Sequence, residues 1–531
     1  MGSSGAAAAR LFSSFRITVA VFLAVAVMLI AVHGHRVVAT NDEGILLDAA
    51  QKVAGGERPY VDFWAYMSPG SYWLQAGVFR LFGVSLLTGR IVVIFDFALQ
   101  CALVFWLTSR LASRWTAGAV MLMFTGFQMA DPAFLTAQHR WDSVTLALIG
   151  MAVAMAAGES KPRWILSGAL LAAAAWSTPT DAFVGMVVAS WIWWDRMRRP
   201  ALAPFLGGIA AVSLPAIVWL AASHSLVPFV QQMLWLRKNY LVNAMPYGSI
   251  IGGYRALFTG SAGGIETAIR SLLVVCIALP AILPFAALVG WGFLLWRSVV
   301  PERAQIFLML GCAGALILAL SPRPDVGHLA FVVALPYVLA SAAVSRLLPA
   351  RAWAFLAMFG VLFAGIFASN SFASLRSTSH VASPVGDLMV DNAQREALQG
   401  LVTHVRPGES MFVFPYMPMH YFVTQTKNPT AYSFFSPGMA TRREELAALA
   451  ELQARPPEWV MYMRFTIQDV LRIVPHLTTQ EWKYAALGEW IERNYQPVEN
   501  PGVTVSGYQL LKHKADENGA AASLTALPFA N

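Results

Sequence analysis

The sequence predicts an all-α polytopic membrane domain followed by a C-terminal extracytoplasmic α/β domain. Three observations carry this prediction. The chain has 531 residues, of which 57% are hydrophobic and only 12% charged, and its mean hydropathy is +0.56, whereas roughly a quarter of the residues of a soluble protein are charged. Long apolar runs recur through residues 1–370. After Ser369 the composition becomes more polar and mixed, which marks the second domain.

The apolar runs are long enough, or nearly so, to cross a bilayer, for which a helix needs about 20 residues. They predict about 11 transmembrane helices in a multi-pass domain covering residues 1–370. The runs lie at about 17–37, 88–109, 115–131, 142–158, 163–179, 181–195, 202–222, 268–296, 304–320, 328–345 and 351–370. The first run lacks a convincing cleavage site, so we interpret it as a retained helix.

Basic residues between the runs predict the orientation. The formal net charge is +8, but the positive residues are spread over short loops rather than clustered, which disfavours a nucleic-acid partner. With the N-terminus in the cytoplasm, every inside loop carries at least two basic residues, as the positive-inside rule requires. These residues are Arg110, Arg114, Lys161, Arg163, Arg196, Arg198, Arg199, Arg297, Arg303, Arg346 and Arg351. We therefore expect a plasma (inner) membrane protein whose C-terminal domain lies outside the cytoplasm.

Two long loops are predicted on the outside. The loop 38–87 begins with Asp42 and Glu43, and the apolar residues that follow are spaced as in a short amphipathic helix on the membrane. Gly55 and Gly56 are expected to end that helix. The loop 223–267 mixes aromatic residues with basic ones, a composition that suits a partly embedded loop closing over a cavity.

Residues 371–513 alternate helical and strand-like patterns, which predicts a small α/β domain. We expect helices near 391–404, 441–454 and 479–493, and strands at 411–414, 459–462 and 503–511. The tail 514–531 is expected to be disordered.

Ionisable residues gather at the predicted outside ends of the helices. Because such groups are costly near a bilayer core, their convergence on one face indicates a functional site. They are Asp42, Glu43, Asp131, Arg140, Asp142, Asp181, Arg323, Asp325 and His328. Each one taken singly has a plainer explanation, such as capping a helix or anchoring a helix end at the headgroups.

This arrangement suits sugar transfer from a lipid phosphate. Such a reaction needs a carboxylate that accepts the proton of the acceptor hydroxyl, and Asp42 or Glu43 could serve. It also needs cations for the phosphate leaving group, for which the candidates are Arg140, Arg237, Lys238, Arg323 and His328. Asp131 or Asp142 could orient the acceptor or help ligate a divalent cation. No spacing in the sequence specifies a metal site, and the three cysteines all lie in apolar runs.

The stretch after the first helix resembles membrane glycosyltransferases of the GT-C fold, in particular the bacterial branch similar to protein O-mannosyltransferases and the aminoarabinose transferase of lipid A. The resemblance rests on Asn41-Asp42-Glu43-Gly44, on Gly55 to Phe63, on Ser68 to Trp73, and on Phe82-Gly83 with Arg90. It covers about 55 residues near the N-terminus. The Pro69-Gly70 pair is a departure, because relatives often have a second proline there.

The resemblance implies a polyprenyl-phosphate sugar donor, an inverting displacement and an acceptor that is a glycan, a lipid or a protein. It assigns the catalytic acid of the first loop to Asp42, with Glu43 the close contender, and the acid of the second loop to Asp131 or Asp142. Membrane lipids are the remaining expected partners. Two other functions stay open: a transporter or flippase of lipid-linked sugar, and a non-catalytic envelope assembly protein. A transporter would place its ionisable groups nearer mid-membrane, which favours the enzyme.

Overall fold

The fold was examined in a computed structural model. It describes residues 2–37, 41–129, 135–250, 263–297, 300–348, 352–464, 468, 470–471, 477, 484–498 and 503–514. The predicted disordered tail lies outside these residues except for Lys514.

The N-terminal part of the chain is helical throughout. Its helices, in chain order, are α1 Gly2–His33, α2 Asn41–Ala54, α3 Pro69–Phe82, α4 Leu86–Leu111, α5 Arg114–Met129, α6 His139–Ala156, α7 Lys161–Ser177, α8 Ala182–Trp194, α9 Leu202–Ala222, α10 Leu226–Asn239, α11 Gly264–Arg297, α12 Arg303–Leu318, α13 Val326–Val332, α14 Ala334–Leu347 and α15 Ala352–Arg376. A helix therefore overlaps each of the eleven apolar runs.

Length and composition single out four described helices that could cross a membrane: Arg16–His33, Leu86–Leu111, Arg199–Ala222 and Val274–Arg297. Helices α13 and α14 form a pair bent by 77° that would make a fifth span. The protein is thus an integral membrane protein, while the number of eleven spans stays a prediction.

The long helices pack around one apolar core. Trp141 lies at its centre, with its ring centroid 5.6 Å from Phe97 on α4 and 5.3 Å from Phe331 on α13. On one flank, Gly168 of α7 and Gly208 of α9 face each other so closely that a Cβ on either would come within about 2 Å of a backbone carbonyl oxygen. Small residues at such crossings let membrane helices approach by their backbones.

The described part of the C-terminal region contains a hairpin, a mixed sheet and, among its named elements, four α-helices. The elements are β1 Thr378–Ser383, β2 Gly386–Asp391, α16 Arg395–His404, β3 Met411–Phe414, α17 Met419–Thr424, α18 Arg442–Ala454, β4 Trp459–Tyr462, α19 Ala485–Asn494, β5 Tyr495–Pro497, β6 Thr504–Val505 and β7 Tyr508–His513. The sheet order is β3-β4-β7-β5, with β6 paired to β7; β3 and β4 are parallel and the other pairs antiparallel.

The C-terminal region is packed directly on α2. Gly44 lies under α17, where an added Cβ would stand 2.2 Å from the backbone nitrogen of Met419. Gln425, which follows α17, donates a hydrogen bond of 2.7 Å to Gln51 of α2. A bridge between Arg36 and Met389 joins the end of α1 to β2 in the same way. We call the side of the membrane domain that carries this region the domain-bearing face.

Candidate active site

The first turn of α2 presents its two acids in different directions. Neighbouring residues of a helix point about 100° apart, and here the separation divides a buried carboxylate from an open one. Glu43 is fully buried, whereas Asp42 is exposed.

Glu43 is held in a two-pronged ion pair with Arg90 of α4. The Nε and Nη2 atoms of Arg90 each lie 2.7 Å from a carboxylate oxygen of Glu43. The carboxylate also accepts a hydrogen bond of 3.2 Å from the backbone N–H of Ala137. Arg90 donates in addition to the carbonyl oxygens of His33 and Arg36. Glu43 therefore joins α2, α4, the end of α1 and the loop before α6.

Asp42 faces a group of basic side chains. The positive charges of His328, Arg323 and Arg140 act on it. The side chain is open to water, yet the surrounding protein raises the pKa of Asp42, and the three basic groups oppose that rise. A carboxylate that is accessible to water and still largely surrounded by protein lines a concave space. These four residues, from α2, α6, the loop before α13 and α13 itself, form what we call the Asp42 cluster.

Arg323 and His328 are both held by Asp325. The Nε atom of Arg323 lies 2.8 Å from Asp325, and the Nδ1 atom of His328 lies 3.0 Å from the same carboxylate oxygen. Asp325 also caps α13 by accepting from the backbone N–H of His328. Burial works to raise the pKa of Asp325, but the hydrogen bonds and charges of His328 and Arg323 outweigh it and bring that pKa to about 2. Asp325 is therefore a stable carboxylate that fixes both basic side chains.

Arg140 has its guanidinium only loosely held. Its Nη1 atom is 3.5 Å from the carbonyl oxygen of Ala319, at the end of α12, and Thr180 donates to the same oxygen at 3.0 Å. The neighbouring Asp181 is fully buried, and its two carboxylate oxygens accept no hydrogen bond from any described residue. Ser143 lies close to Asp181, but its hydroxyl donates to the carbonyl of Arg140 at 3.2 Å. Arg140 therefore acts on Asp181 mainly through its charge.

Tyr240 brings the second long loop to the cluster. It follows α10, and the charges of Arg323, Arg140, Asp42 and Asp325 all act on it. Burial raises the pKa of Tyr240, so its hydroxyl is a hydrogen-bond donor at neutral pH.

The loop after Tyr240 is fastened to the loop that carries Arg323. Met245 donates from its backbone N–H to Pro322 at 3.1 Å, and Gly248 to Pro324 at 2.9 Å. Beside this junction an apolar cleft lies between α11, α12 and α14. It is lined by Tyr247, Pro284, Phe285, Ala287, Leu288, Leu310, Ala313, Gly314, Ile317, Pro336 and Leu339. An apolar cleft therefore adjoins the loop that carries Arg323 and Asp325.

Several residues predicted from the sequence lie elsewhere. Arg237 and Lys238 are exposed on the last turn of α10, and among the described residues neither is hydrogen-bonded or ion-paired to a member of the Asp42 cluster. Asp142 is buried within hydrogen-bonding reach of Asp96 on α4, since two residues along a helix is a rotation of about 200° from Arg140. Asp131 lies outside the described residues.

The described residues contain no group of three or more His, Cys, Asp or Glu side chains arranged to hold a metal ion. The sequence reasoning placed Tyr240 only in a mixed aromatic loop and gave no role to Asp325. The pattern Asp-x-x-His at the start of a helix, an N-cap acid three residues before a histidine, is the signal that would have linked Asp325 to His328.

The helical bundle, the helices of its long loops and the α/β region above them define the GT-C fold of membrane glycosyltransferases. ArnT from Cupriavidus metallidurans, in its crystal structure bound to undecaprenyl phosphate, matches 94% of this chain and 98% of its own, with a TM-score of 0.52 and 13% sequence identity. Its apo structure matches 90% of this chain and 97% of its own, with a TM-score of 0.52 and 11% identity.

An oligosaccharyltransferase from Archaeoglobus fulgidus is also similar, at a TM-score of 0.49 and 11% identity, over 90% of this chain and 72% of its own. No family model matches the sequence, and no curated protein matches it either. The likeness to the two ArnT structures shows the fold, and the sequence resemblance to GT-C enzymes is confirmed at that level.

Proposed function

We propose that this protein is a membrane glycosyltransferase that moves a sugar from a polyprenyl-phosphate donor to an acceptor on the extracytoplasmic side, with inversion at the sugar. The observation that carries the proposal is the Asp42 cluster: one water-accessible carboxylate faced by Arg140, Arg323 and His328. A base beside a set of cations is what this transfer requires.

Asp42 is the base in this mechanism. It removes the proton from the acceptor hydroxyl as the oxygen attacks the anomeric carbon, and the bond to the lipid phosphate breaks on the opposite face of the sugar. Glu43 is unsuited to the task, because Arg90 and the N–H of Ala137 already occupy its carboxylate in a fully buried position. The geometry thus favours Asp42 over its neighbour, a choice that the sequence left open.

The cations differ in how they would meet the phosphate. Arg140 keeps most of its donors available, since its one hydrogen bond to Ala319 is long, and its planar fork can bind two phosphate oxygens. His328 is oriented by Asp325 through Nδ1, which leaves Nε2 for a phosphate oxygen. The charge of Arg323 is partly offset by Asp325, so it contributes less than Arg140.

The apolar cleft between α11, α12 and α14 would take the polyprenyl chain. Its lining is apolar apart from Tyr247, and the backbone bonds of Met245 and Gly248 connect its rim to Pro322 and Pro324, on either side of Arg323. A lipid lying in this cleft would therefore carry its phosphate toward the Asp42 cluster. The undecaprenyl phosphate bound to ArnT in the similar structure supports this class of ligand.

The experiment is a transfer assay with purified protein in liposomes made from envelope lipid extracts, which supply lipid-linked sugars, with release of undecaprenyl phosphate as the readout. Asp42→Asn should lower the rate by about 10²–10⁴-fold, the usual contribution of a general base, without weakening the binding of added undecaprenyl phosphate. Asp62→Asn is the matched control, because Asp62 is an acid of the same loop that pairs with Arg58 outside the cluster.

An Asp42→Asn variant with the full rate would refute the assignment of the base. Movement of lipid-linked sugar across the liposome membrane without any transfer would refute the enzyme and favour the flippase.

A further inference from the structure

Two acids of the helical bundle meet outside the Asp42 cluster. Asp96 of α4 and Asp142 of α6 lie within hydrogen-bonding reach of each other. Asp142 is buried, and the Oδ2 atom of Asp96 is buried without a hydrogen-bond partner among the described residues. In the described part of the chain, no basic side chain forms an ion pair with either acid. Two carboxylates so close repel each other unless a proton or a cation lies between them.

Three neutral side chains surround this pair. Gln100, four residues after Asp96 on α4, is fully buried, and its Nε2 atom donates a hydrogen bond of 2.9 Å to the hydroxyl of Thr145. Thr145 is three residues after Asp142 on α6, so the two share one face of that helix, and its hydroxyl lies close to Asp96. Ser71 of α3 is fully buried beside Asp142.

Two of the neutral oxygens lack a hydrogen-bond donor. Oε1 of Gln100 lies on the same planar amide as the Nε2 atom that meets Thr145, and it has no partner among the described residues. The hydroxyl of Ser71 forms no hydrogen bond of normal geometry with a described residue either. Buried oxygens without a partner are costly. A proton shared by the two acids would reduce their repulsion but would donate nothing to Gln100, whereas a cation could be ligated by all of these oxygens.

From this geometry we infer that Asp96, Asp142, Gln100, Thr145 and Ser71 bind a hard divalent cation, and that Ca²⁺ fits best. Carboxylate, amide and hydroxyl oxygens are ligands of hard cations. A charge of +2 balances the two carboxylates, and an unbalanced buried charge is costly. Mg²⁺ usually keeps several waters, while Ca²⁺ accepts about 6–8 oxygens in flexible geometry, a set that two bidentate carboxylates and three neutral oxygens can nearly complete.

The proposed site joins α3, α4 and α6. The start of α6 lies at the domain-bearing face, because Ala137, just before it, donates to Glu43 of α2. We therefore expect Ca²⁺ from that side, with a dissociation constant of about 10⁻⁴–10⁻³ M, as in extracellular modules. Bound Ca²⁺ would fix the turn of α6 that also carries Arg140. The inference does not depend on glycosyl transfer, since binding and stability test it without an activity assay.

Binding can be measured on the full-length protein in nanodiscs of phosphatidylcholine, a lipid without net charge. After EGTA treatment, equilibrium dialysis with radioactive ⁴⁵Ca²⁺ gives the affinity. Asp96→Asn should weaken binding about 100-fold or more, beyond the 10–100-fold typical of losing an outer neighbour of a ligand, and Gln100→Leu about ten-fold. Gln128→Leu is the matched control, because Gln128 is a fully buried glutamine of α5 whose Oε1 is also unpaired but whose Nε2 donates to Ala330. Equal binding by the wild type and Asp96→Asn would overturn the site.

Thermal unfolding separates a bound cation from a shared proton. Ca²⁺ should raise the unfolding midpoint of the wild type as its concentration increases, and should leave that of Asp96→Asn unchanged. In EGTA the order should reverse, with Asp96→Asn the more stable protein, because asparagine removes the repulsion between the two acids. Equal stabilisation by Mg²⁺ or Na⁺ would overturn the assignment to Ca²⁺. Stabilisation by lower pH without a response to any cation would assign a shared proton to the pair and overturn the cation site.

Discussion

Glu43 and Asp325 are both buried carboxylates paired with an arginine, but the two pairs differ in what remains open. Arg90, the partner of Glu43, is 0% exposed, while Arg323 and His328, the partners of Asp325, keep 12% and 25% of their side chains accessible. Arg90 makes four hydrogen bonds to described residues, all of them inside the protein. Asp325, by contrast, holds two basic side chains, Arg323 and His328, that still face Asp42.

The difference separates two kinds of ion pair in a membrane protein. A fully enclosed pair binds elements together, and its removal should appear in stability. A pair that leaves its cations partly open prepares a binding surface, and its removal should appear in catalysis. Substitutions in the two pairs should therefore differ in whether they lower stability or activity.

Breaking the enclosed pair should give the largest loss. Glu43→Gln leaves Arg90 without its counter-charge, which typically costs about 3–5 kcal/mol when the partner is buried. The free energy of unfolding in mixed detergent micelles measures the loss. The double variant Glu43→Leu/Arg90→Met removes both charges and should be less destabilised than Glu43→Gln alone. A stable Glu43→Gln protein that is catalytically dead would instead place Glu43 in the reaction.

Removing the most available cation should affect the rate. Arg140→Ala should lower transfer about 10²–10³-fold, as expected for the loss of one donor to the developing charge. Its unfolding should change little, because among the described residues the guanidinium makes a single long hydrogen bond. Arg140→Lys should recover part of the rate, since it keeps the charge but loses the fork. A stability loss as large as that of Glu43→Gln would contradict the division.

Asp181 should have an intermediate effect. Because its buried carboxylate accepts no hydrogen bond from any described residue and lies near Arg140, we expect it to position that guanidinium. Asp181→Asn should reduce transfer about ten-fold, mostly through weaker binding of undecaprenyl phosphate. In the Arg140→Ala background the same change should have almost no further effect. Independent, additive losses would show that Asp181 does not act through Arg140.

The smallest effect concerns pH. The protein surrounding Asp42 raises its pKa although the side chain is open to water, and the base must be ionised to act, so activity should fall with decreasing pH at a value above the usual 3.9 or so of an aspartate. Asp325 behaves in the opposite way. Its pKa of about 2 means that its contribution to stability is present above pH 4 and is lost only as pH falls toward 2. An acid limb below pH 4, or one that Asp42→Glu leaves unmoved, would count against Asp42.

Local patterns in the sequence were sufficient for many elements. The strands Met411–Phe414 and Trp459–Tyr462 begin and end where their apolar runs do. The helix predicted after Asp42 ends at Ala54, directly before the two glycines, but residues 43–50 are all buried, so it does not have the exposed polar face expected of an amphipathic helix on the membrane. The predicted strand 503–511 is instead two strands, because Ser506 and Gly507 adopt positive φ angles and turn the chain between them.

Helices α3 and α10 were missed inside predicted loops. A serine followed by proline at positions 68 and 69 is a typical helix start, and the spacing of Val227, Val230 and Leu234 is helical. Both signals are short and lie among aromatic residues, where a loop is an equally ordinary interpretation.

The candidate site was predictable as a set but not in its roles. The sequence could bring Asp42, Arg140, Arg323 and His328 to one face, because helix ends with equal orientation lie at the same level. It could not separate Asp42 from Glu43, since the distinction depends on Arg90, which lies 47 residues further along the chain. Nor could the sequence predict that Arg237 and Lys238 lie outside the Asp42 cluster, because that depends on which side of α10 is packed.

The contact at Gly44 couples the C-terminal region mechanically to the turn that carries Asp42. With the backbone of Met419 only 2.2 Å from where a Cβ would stand, α2 has no clearance in which to rise toward α17. The two helices must shift together. Anything that pulls on the C-terminal region, such as a large acceptor held against it, would transmit its load to the turn that carries Asp42.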